Sequence, residues 1–268
     1  MSLSRKELLG EMGIAPVWVR RDGLPAARPA VQSVGRASGH VEPVTQAASQ
    51  DSPAAVVRPD VARPASSVEH MDWESLRRSI AECRACGLCA ERKQAVPGVG
   101  DERAGWLFIG EGPGAEEDAR GEPFVGQAGK LLDAMLEAIG LKRGTDVYIA
   151  NAVKCRPPGN RTPEAAELAA CFPFLKRQIT LIQPKLIVLL GKTAVSSVLG
   201  EDGSLGSLRG KNLNYRDGDC EIPVVVTYHP AYLLRNLAEK ARAWEDLCFA
   251  RAWVSERRAA SAATAPSE

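Results

Sequence analysis

The sequence lacks a charge excess of either sign and any long apolar run. Its 268 residues include 34 basic and 33 acidic side chains, which leaves a formal net charge of +1. Proteins that bind nucleic acids non-specifically are often strongly basic, because Lys and Arg neutralise phosphates and release counterions. Any contact with nucleic acid is therefore expected to be local. No apolar run is long enough to span a bilayer, and residues 1–21 lack the apolar stretch of a signal peptide, so a cytoplasmic protein without membrane contact is expected.

Aromatic residues are scarce, at 5% of the chain, and residues 22–69 contain none. This segment is rich in Ala, Pro, Val, Ser and Arg, without a sustained period of two or of 3.6 residues. Such a composition buries too little apolar surface to offset the entropy lost on ordering, so it predicts a disordered linker. The linker separates an N-terminal peptide, residues 1–21, from a globular domain over residues 70–258, and residues 259–268 are expected to form a disordered tail.

The N-terminal peptide carries Leu8, Leu9 and Met12 in a short amphipathic helix candidate. Two interpretations of this peptide remain open. It docks on a partner protein at the end of the linker, or it packs on its own domain as a frayed terminal helix.

The pattern of apolar residues within the globular domain predicts an α/β fold. Four short, continuously apolar segments alternate with helical patterns: residues 106–109, 147–150, 186–190 and 223–227. Strands that are apolar on both faces are typical of a parallel sheet covered by helices on each side. We expect a three-layer, four-stranded parallel sheet flanked by helices. One of these helices is expected to be capped by Thr162, and the last to run over residues 232–256.

In such sheets ligands bind at the carboxyl ends of the strands, so the loops that follow the strands are the first candidates for a site. The loop at residues 110–114 reads Gly-Glu-Gly-Pro-Gly. A phosphate loop is disfavoured here, because Glu111 and Glu117 crowd the same turn and carboxylates repel phosphates. Carboxylates suit a reaction that develops positive charge or needs an oriented water. Gly-Lys-Thr at residues 191–193 is likewise no phosphate loop, because Leu186 stands where such a motif requires glycine.

Three further side chains lie in or beside these loops. Phe124 lies in a Gly- and Pro-rich loop, where it either stacks on a flat ligand or plugs the core. Asn151 ends the second predicted strand, and it either reads a ligand or forms a turn. His229 follows the fourth strand and precedes Pro230, in a position that serves either a ligand site or the structure alone.

Seven cysteines in a reducing compartment argue for metal ligation or buried thiols and against disulfides. Cys83 and Cys86 form a close pair, and Cys155 and Cys171 come after the second predicted strand. Four thiolates in such positions suit zinc or an iron–sulfur cluster, since both take soft ligands. Cys89 competes for the same role, because the three cysteines at 83, 86 and 89 are themselves spaced like a cluster loop.

Four motifs, in order along the chain, resemble those of the family 4 uracil-DNA glycosylases. They occupy residues 110–114, 123–126, 151–158 and 229–233, and the resemblance covers roughly residues 79–254. It implies a four-stranded parallel sheet and a DNA-repair enzyme that flips uracil out of DNA and hydrolyses its N-glycosidic bond. It also implies a [4Fe–4S] cluster in a four-cysteine loop, and a structural role for that cluster is the simpler hypothesis. By motif position the ligands of that cluster are Cys83, Cys86, Cys155 and Cys171.

The resemblance further implies how the base is held. Phe124 stacks on the flipped uracil, and Asn151 reads its polar edge and rejects cytosine, whose donors and acceptors are reversed. His229 hydrogen-bonds the O2 side and stabilises the departing uracil anion. The implied uracil-binding set is Gly110, Glu111, Gly112, Phe124, Asn151 and His229.

The residue that orients the attacking water is less fixed by the resemblance. Other families of the superfamily carry Asp or Asn where this chain has Gly112. Glu111 or Glu117 has to substitute, or the enzyme relies on stabilising the leaving anion and the sugar cation.

Contacts with DNA are expected on both sides of His229. Leu233 and Leu234 wedge into the base stack with Arg235 on a phosphate, or else they begin the last helix as core residues. Arg209 and Lys211 contact the DNA backbone, or they form only a solvated turn.

The expected protein is a monomeric, nucleoid-associated enzyme that acts on DNA containing uracil. Two alternatives remain open. The chain is instead an iron–sulfur or zinc binding module that docks on a replication or repair protein, or a glycosylase of the same fold with another deaminated base as its target.

Overall fold

The computed structural model describes residues 68–263, with side chains up to residue 257. Predictions for the N-terminal peptide, for the linker up to residue 67 and for residues 264–268 lie outside the described residues. Within this range one sheet contains β1 (Val99–Gly100), β2 (Trp106–Gly110), β3 (Val147–Asn151), β4 (Leu186–Leu190), β5 (Leu213–Asp217) and β6 (Cys220–Thr227). Their order across the sheet is β1-β3-β2-β4-β6-β5.

The centre of the sheet is parallel, as predicted, and each edge carries one additional antiparallel strand. Strand β2 pairs in parallel with β3 and β4, and β4 pairs in parallel with β6. Strand β1 is antiparallel to β3, and β5 is antiparallel to β6. The prediction of four strands missed these edges because β1 has only two residues and β5 reads Leu-Asn-Tyr-Arg-Asp, which forms no apolar run.

Helices flank the sheet on both sides. Those in the described range are α1 (Trp73–Glu82), α2 (Ala115–Arg120), α3 (Gln127–Ala138), α4 (Ala165–Ile182), α5 (Lys192–Leu199), α6 (Leu205–Leu208), α7 (Pro230–Arg235) and α8 (Lys240–Ala263). None of the helices in residues 68–263 combines the length and the apolar character that crossing a bilayer requires.

Two helix boundaries differ from the prediction. Helix α4 is not capped by Thr162; its N-cap is Glu164, whose backbone N–H donates to the Glu167 carboxylate at 2.8 Å. The expected terminal helix is broken into α7 and α8, because Asn236 adopts φ −127° and ψ 74° and a short 3₁₀ turn, Leu237–Glu239, follows it. No Pro or Gly marks this break in the sequence.

Alternate residues of the central strands pack on opposite faces of the sheet. In β2, Trp106 and Phe108 join a cluster with α3 and α8, whereas Leu107 and Ile109 join a cluster with α4 and α5. All residues of β2, β3 and β4 are buried, so the predicted three-layer arrangement is confirmed. This packing brings the carboxyl ends of the four parallel strands to one edge.

The central strand β4 offers a direct test of the core. Leu189 is fully buried there, whereas Leu237 is 60% exposed. We expect Leu189→Ala to lower the free energy of unfolding by about 2–5 kcal/mol, because it removes apolar burial and leaves a cavity. The matched control, Leu237→Ala, should change it by less than about 0.5 kcal/mol. Guanidinium unfolding at neutral pH measures both, and equal losses would contradict this assignment of the core.

Candidate active site

A cavity of about 1050 Å³ lies at the carboxyl ends of the parallel strands. Each of the four strands contributes to its lining: Glu111 follows β2, Asn151 ends β3, Gly191 follows β4, and His229 lies just beyond β6. Phe124 lines the same cavity. The side chains that the sequence analysis selected from distant parts of the chain thus meet at the carboxyl ends of the parallel strands, where such sheets bind ligands.

Gly110 lets two of these side chains meet. A Cβ atom at residue 110 would lie 2.5 Å from Cζ of Phe124 and 2.6 Å from Oδ1 of Asn151. Both distances are shorter than real Cβ contacts, so any other residue would displace the ring or the amide. The register of the sheet pairs Gly110 with Asn151, which brings the amide close to this glycine.

Phe124 is held in an unusual backbone conformation, with φ of 55°. For a residue with a Cβ this left-handed region costs about 1–3 kcal/mol. Arg143 stabilises it, because its guanidinium donates to the carbonyl of Pro123 and to that of Phe124, each at 2.9 Å. Arg143 also forms a salt bridge with Asp133 at 2.8 Å. These contacts hold the loop in place. Phe124 is only 5% exposed, and its ring lines the cavity.

Asn151 carries an unpaired polar atom. Its side chain is 2% exposed, and Oδ1 has no hydrogen-bond partner among the described residues. A buried acceptor without a partner costs about 1–3 kcal/mol. Since the amide lines the cavity, this orphaned oxygen indicates a site for a ligand that donates a hydrogen bond.

His229 faces the same space as a neutral imidazole. Its ring stacks on Phe124 with 5.4 Å between centroids, and Nδ1 accepts a hydrogen bond from the backbone N–H of Ala231 at 3.1 Å. Burial lowers the pKa of His229 to about 4, and Arg235 acts in the same direction, against a smaller opposing effect of Glu117. With Nδ1 accepting, the single proton of the neutral ring lies on Nε2, which is left as a donor.

The two candidate carboxylates have different surroundings. Glu117 is fully engaged: one oxygen accepts from Val125 at 2.9 Å and Gly126 at 3.1 Å, and the other from Gly114 at 3.1 Å. All three donors are backbone N–H groups, so Glu117 holds the loops together. Glu111 accepts only from the hydroxyl of Thr193 within the described part of the chain, which leaves its second carboxylate oxygen for a ligand or water.

The three residues of helix α7 that were predicted to contact DNA lie in different environments. Leu233 is fully buried in the core between α3 and α8, so the predicted wedge into DNA is wrong for this residue. Leu234, one residue further round the helix, is 42% exposed. Arg235 lines the cavity. The helical rotation between neighbouring residues thus decides which leucine faces outward.

Arg209 also departs from its predicted role. Its guanidinium donates to the buried carboxylate of Asp246 at 2.7 Å and lies over the ring of Tyr228, 4.9 Å from the centroid. The structure therefore gives Arg209 a supporting role beneath the loop of His229, in place of the predicted contact with DNA. Lys211 is exposed, which is compatible with its predicted role.

The cysteines selected from the sequence converge on a second, smaller cavity. Five of them line it: Cys83, Cys86, Cys89, Cys155 and Cys171. Burial raises the pKa of the Cys171 thiol to about 12 and that of Cys155 above its usual value, so a bound cation or metal is needed to keep these groups as thiolates. The Arg92 guanidinium donates to Sγ of Cys155 at 2.9 Å.

Five thiols lining one cavity are the donor type that a soft metal centre takes. Between residues 68 and 257, no three His, Cys, Asp or Glu side chains are spaced to hold a single metal ion.

Other residues at the cavity were not selected from the sequence. Thr193, which lies in the discarded Gly-Lys-Thr segment, bonds Glu111 across a separation of 82 residues. Lys192, Asn160 and Tyr228 also line the cavity. Thr193 could have been selected from the sequence by its position alone, because it lies just beyond the carboxyl end of β4.

Comparisons with known proteins agree with this geometry. Residues 97–248 match the family model of the uracil DNA glycosylase superfamily. A type-4 uracil-DNA glycosylase of Pyrobaculum aerophilum is 42% identical over 181 residues, which are 66% of this chain and 92% of the relative. A type-4 enzyme of Thermotoga maritima is 44% identical, over 68% and 95% of the two chains. A type-5 uracil-DNA glycosylase of Thermus thermophilus is 33% identical, over 50% and 74%.

The lowered pKa of His229 predicts a pH dependence of stability. The unfolded chain, with a histidine pKa near 6.5, takes up a proton between about pH 6.5 and 4 that the folded protein does not. The contribution of His229 to stability is therefore complete above about pH 6.5 and declines as the pH falls towards 4. The ring should titrate near pH 4 by NMR, with the signal assigned through His229→Gln, which should flatten the pH dependence of unfolding. A midpoint at or above the ordinary histidine value would contradict burial of a neutral ring.

The close approach at Gly110 predicts a selective effect of one methyl group. We expect Gly110→Ala to lower the free energy of unfolding by about 1–3 kcal/mol, because the added Cβ overlaps Phe124 and Asn151. Gly206→Ala is the matched control, since no atom lies within 4 Å of its added Cβ. That variant should be neutral or slightly stabilising. Chemical unfolding compares the two, and similar stabilities would refute the tight contact.

Proposed function

Because the chain belongs to the type-4 group of the uracil-DNA glycosylase superfamily, we propose that its strand-end cavity receives a uracil flipped out of DNA. There the enzyme hydrolyses the N-glycosidic bond and leaves an abasic site. The observation that carries this proposal is the buried, unpartnered Oδ1 of Asn151, since the N3–H of uracil is a donor that an amide oxygen can accept.

Base recognition combines the amide of Asn151 with the ring of Phe124. Oδ1 of Asn151 accepts from uracil N3–H, and its Nδ2 group donates to O4. Cytosine presents an acceptor at N3 and a donor at its amino group, so it would face the amide with like against like. Phe124 supplies a flat face for the base, and the absence of a side chain at Gly110 leaves room for both contacts.

His229 stabilises the leaving group. As the bond between C1′ and N1 breaks, its electron pair passes to the uracil ring, and negative charge develops on O2. The neutral His229 donates its Nε2–H to that oxygen, which is the kind of preorganised donor that lowers such a barrier. The low pKa caused by burial favours a hydrogen-bond donor here over a general acid.

Glu111 is the better candidate to orient the water. The attacking water adds its oxygen to C1′ of the oxocarbenium-like sugar and gives up a proton, which a carboxylate oxygen can accept. Glu111 keeps one such oxygen, whereas both oxygens of Glu117 accept backbone N–H groups. Glu117 is then a positioning residue for the loop of Phe124.

The cysteine-lined cavity is the proposed site of a [4Fe–4S] cluster, with ligands Cys83, Cys86, Cys155 and Cys171. Cys89 lines the same cavity and is the thiol that the family resemblance leaves outside this set. When bound, the cluster supplies a structural cross-link between the segment after α1, helix α4 and the turn that follows β3. No step of the proposed hydrolysis passes through it.

The proposed enzyme acts on uracil-containing DNA through three further contacts. Leu234, which is 42% exposed and precedes the cavity residue Arg235, is the better candidate for the wedge, with Arg235 on a phosphate. Lys211 remains a proposed backbone contact. Docking of residues 1–21 on a protein partner, a monomeric state and association with the nucleoid stay predictions.

An oligonucleotide assay tests the proposal. Purified, iron-loaded protein is incubated with single- and double-stranded DNA carrying one uracil, and alkali then reveals abasic sites. We expect uracil-dependent cleavage, and loss of about 10²-fold or more of the single-turnover rate in Asn151→Ala and His229→Ala. The exposed residues Asn214 and His70 provide matched controls, whose replacement by Ala should leave the rate unchanged.

The same assay, together with unfolding measurements, distinguishes the roles of Glu111 and Glu117. Glu111→Gln should lower the rate strongly while leaving the unfolding midpoint near that of the wild type. Glu117→Gln should mainly lower stability, because it weakens three backbone contacts. Uncut DNA from folded, iron-loaded protein would overturn the glycosylase assignment and favour the binding module.

A further inference from the structure

Lys154 is a buried cation between the two cavities that the proposed reaction does not use. It lies in the turn that connects Asn151 with Cys155, and its side chain is 1% exposed. Its ammonium donates to the backbone carbonyl of Asn151 at 2.8 Å and to Oε1 of Gln178 at 2.7 Å. Lys154 also lines the cavity of the five cysteines. One side chain therefore contacts the residue proposed to read the base and borders the proposed cluster.

The charge of Lys154 has an unusual set of partners. A buried ammonium is costly unless an anion or several acceptors surround it. No carboxylate among residues 68–257 forms a salt bridge with Lys154; the groups that attract its charge are Cys171 and Cys155. The backbone N–H of Lys154 also donates to Sγ of Cys171 at 3.3 Å. Thiolates held by a cluster in the cysteine cavity would therefore be its counter-charge.

Gln178 makes this arrangement rigid. Its Nε2 donates to the carbonyl of Pro97 at 2.7 Å, which fixes the orientation of the amide so that Oε1 faces Lys154. Gln178 and Cys171 both belong to α4, two helical turns apart, so one helix carries an acceptor for Lys154 and a thiol beside it. The backbone of Lys154 is also held, since its carbonyl accepts from Val96 at 2.8 Å.

We propose that Lys154 is a positioning residue that couples the cysteine-ligated cluster to the base-reading amide of Asn151. Its ammonium offsets negative charge of the thiolate-bound cluster and, through the carbonyl of Asn151, fixes the turn that aims the Asn151 side chain into the uracil cavity. This inference rests on the proposed function and deepens it. Loss of the cluster would leave an uncompensated buried charge beside Asn151, so the turn would loosen.

The test compares Lys154→Met with Arg92→Met. Met removes the charge in both variants, and at residue 154 it also preserves nearly the length and the apolar bulk of the side chain. Arg92 is the matched control, because its guanidinium contacts Cys155 and the carbonyl of Ala81 but no residue of the uracil cavity. Four quantities are measured: iron content during exposure to a chelator, the midpoint potential of the cluster, the excision rate and the unfolding midpoint.

Lys154→Met is expected to release iron faster than the wild type and to shift the midpoint potential to more negative values, because removal of a nearby positive charge disfavours the reduced cluster. The excision rate should fall about tenfold or more, consistent with loss of a charged hydrogen bond. That fall should disappear in the Asn151→Ala background, since the amide is then no longer there to be aimed. Arg92→Met should shift the potential but leave excision unchanged.

Two results would overturn the inference. One is a wild-type potential and excision rate in iron-loaded Lys154→Met. The other is an excision loss in Lys154→Met that persists undiminished in the Asn151→Ala background. If Lys154→Met does not fold, Gln178→Leu serves instead, because it removes an anchor of the ammonium and keeps its charge. That variant should excise more slowly with a nearly unchanged potential, and normal excision by it would also refute the coupling.

The wild type separates this inference from the function on which it rests. If the wild type does not excise uracil, the proposed function fails. The potential and iron release of Lys154→Met still test the charge of Lys154 against the cluster, and unchanged values there would refute that part independently.

Discussion

The site depends on one close approach at the end of β2, where the ring of Phe124 and the amide of Asn151 occupy the space that a side chain at Gly110 would fill. The parallel register places Asn151 opposite Gly110, so the sheet itself fixes the amide. The ring is fixed from outside the sheet, by the loop that Glu117 and Arg143 hold through backbone groups. A flat ligand in this cavity therefore meets surfaces that are already in position, which reduces the ordering needed on binding.

Holding these groups in place has a measurable energetic cost. Phe124 is kept at a positive φ, and Oδ1 of Asn151 is buried without a partner, each at about 1–3 kcal/mol. The lowered pKa of His229 adds a cost only below about pH 6.5, where the unfolded chain takes up a proton that the buried ring does not. The surrounding sheet is apolar on both faces and offsets such costs. Two of these features, the positive φ of Phe124 and the unpaired Oδ1 of Asn151, lie at the cavity, and uracil would supply the donor that Asn151 lacks.

The sequence predicts those parts of the fold in which the local pattern of apolar residues matches their burial in the tertiary structure. Strands β2, β3 and β4 are continuously apolar because helices cover both faces, so their position could be read directly. The edge strands could not be predicted in this way, because β5 has one face towards solvent and β1 has only two residues. The break between α7 and α8 is invisible for a different reason. Asn236 is an acceptable helical residue, and only the tertiary structure imposes its non-helical φ and ψ.

The same distinction holds within the site. Asn151 and His229 could be predicted because chain position alone, just at or after a buried strand, brings them to the cavity. Leu233 could not be told from its neighbour, since the phase of α7 depends on packing. Least predictable are contacts between residues far apart in the chain. The position of Thr193 follows from the end of β4, but its bond to a carboxylate 82 residues away does not, and the same holds for the contacts of Lys154. From the sequence alone, a lysine beside a cysteine is interpreted as a solvent-exposed charge. It becomes informative only when the fold buries it without a carboxylate, because its charge then requires another anion, which the proposed cluster in the cysteine cavity would supply.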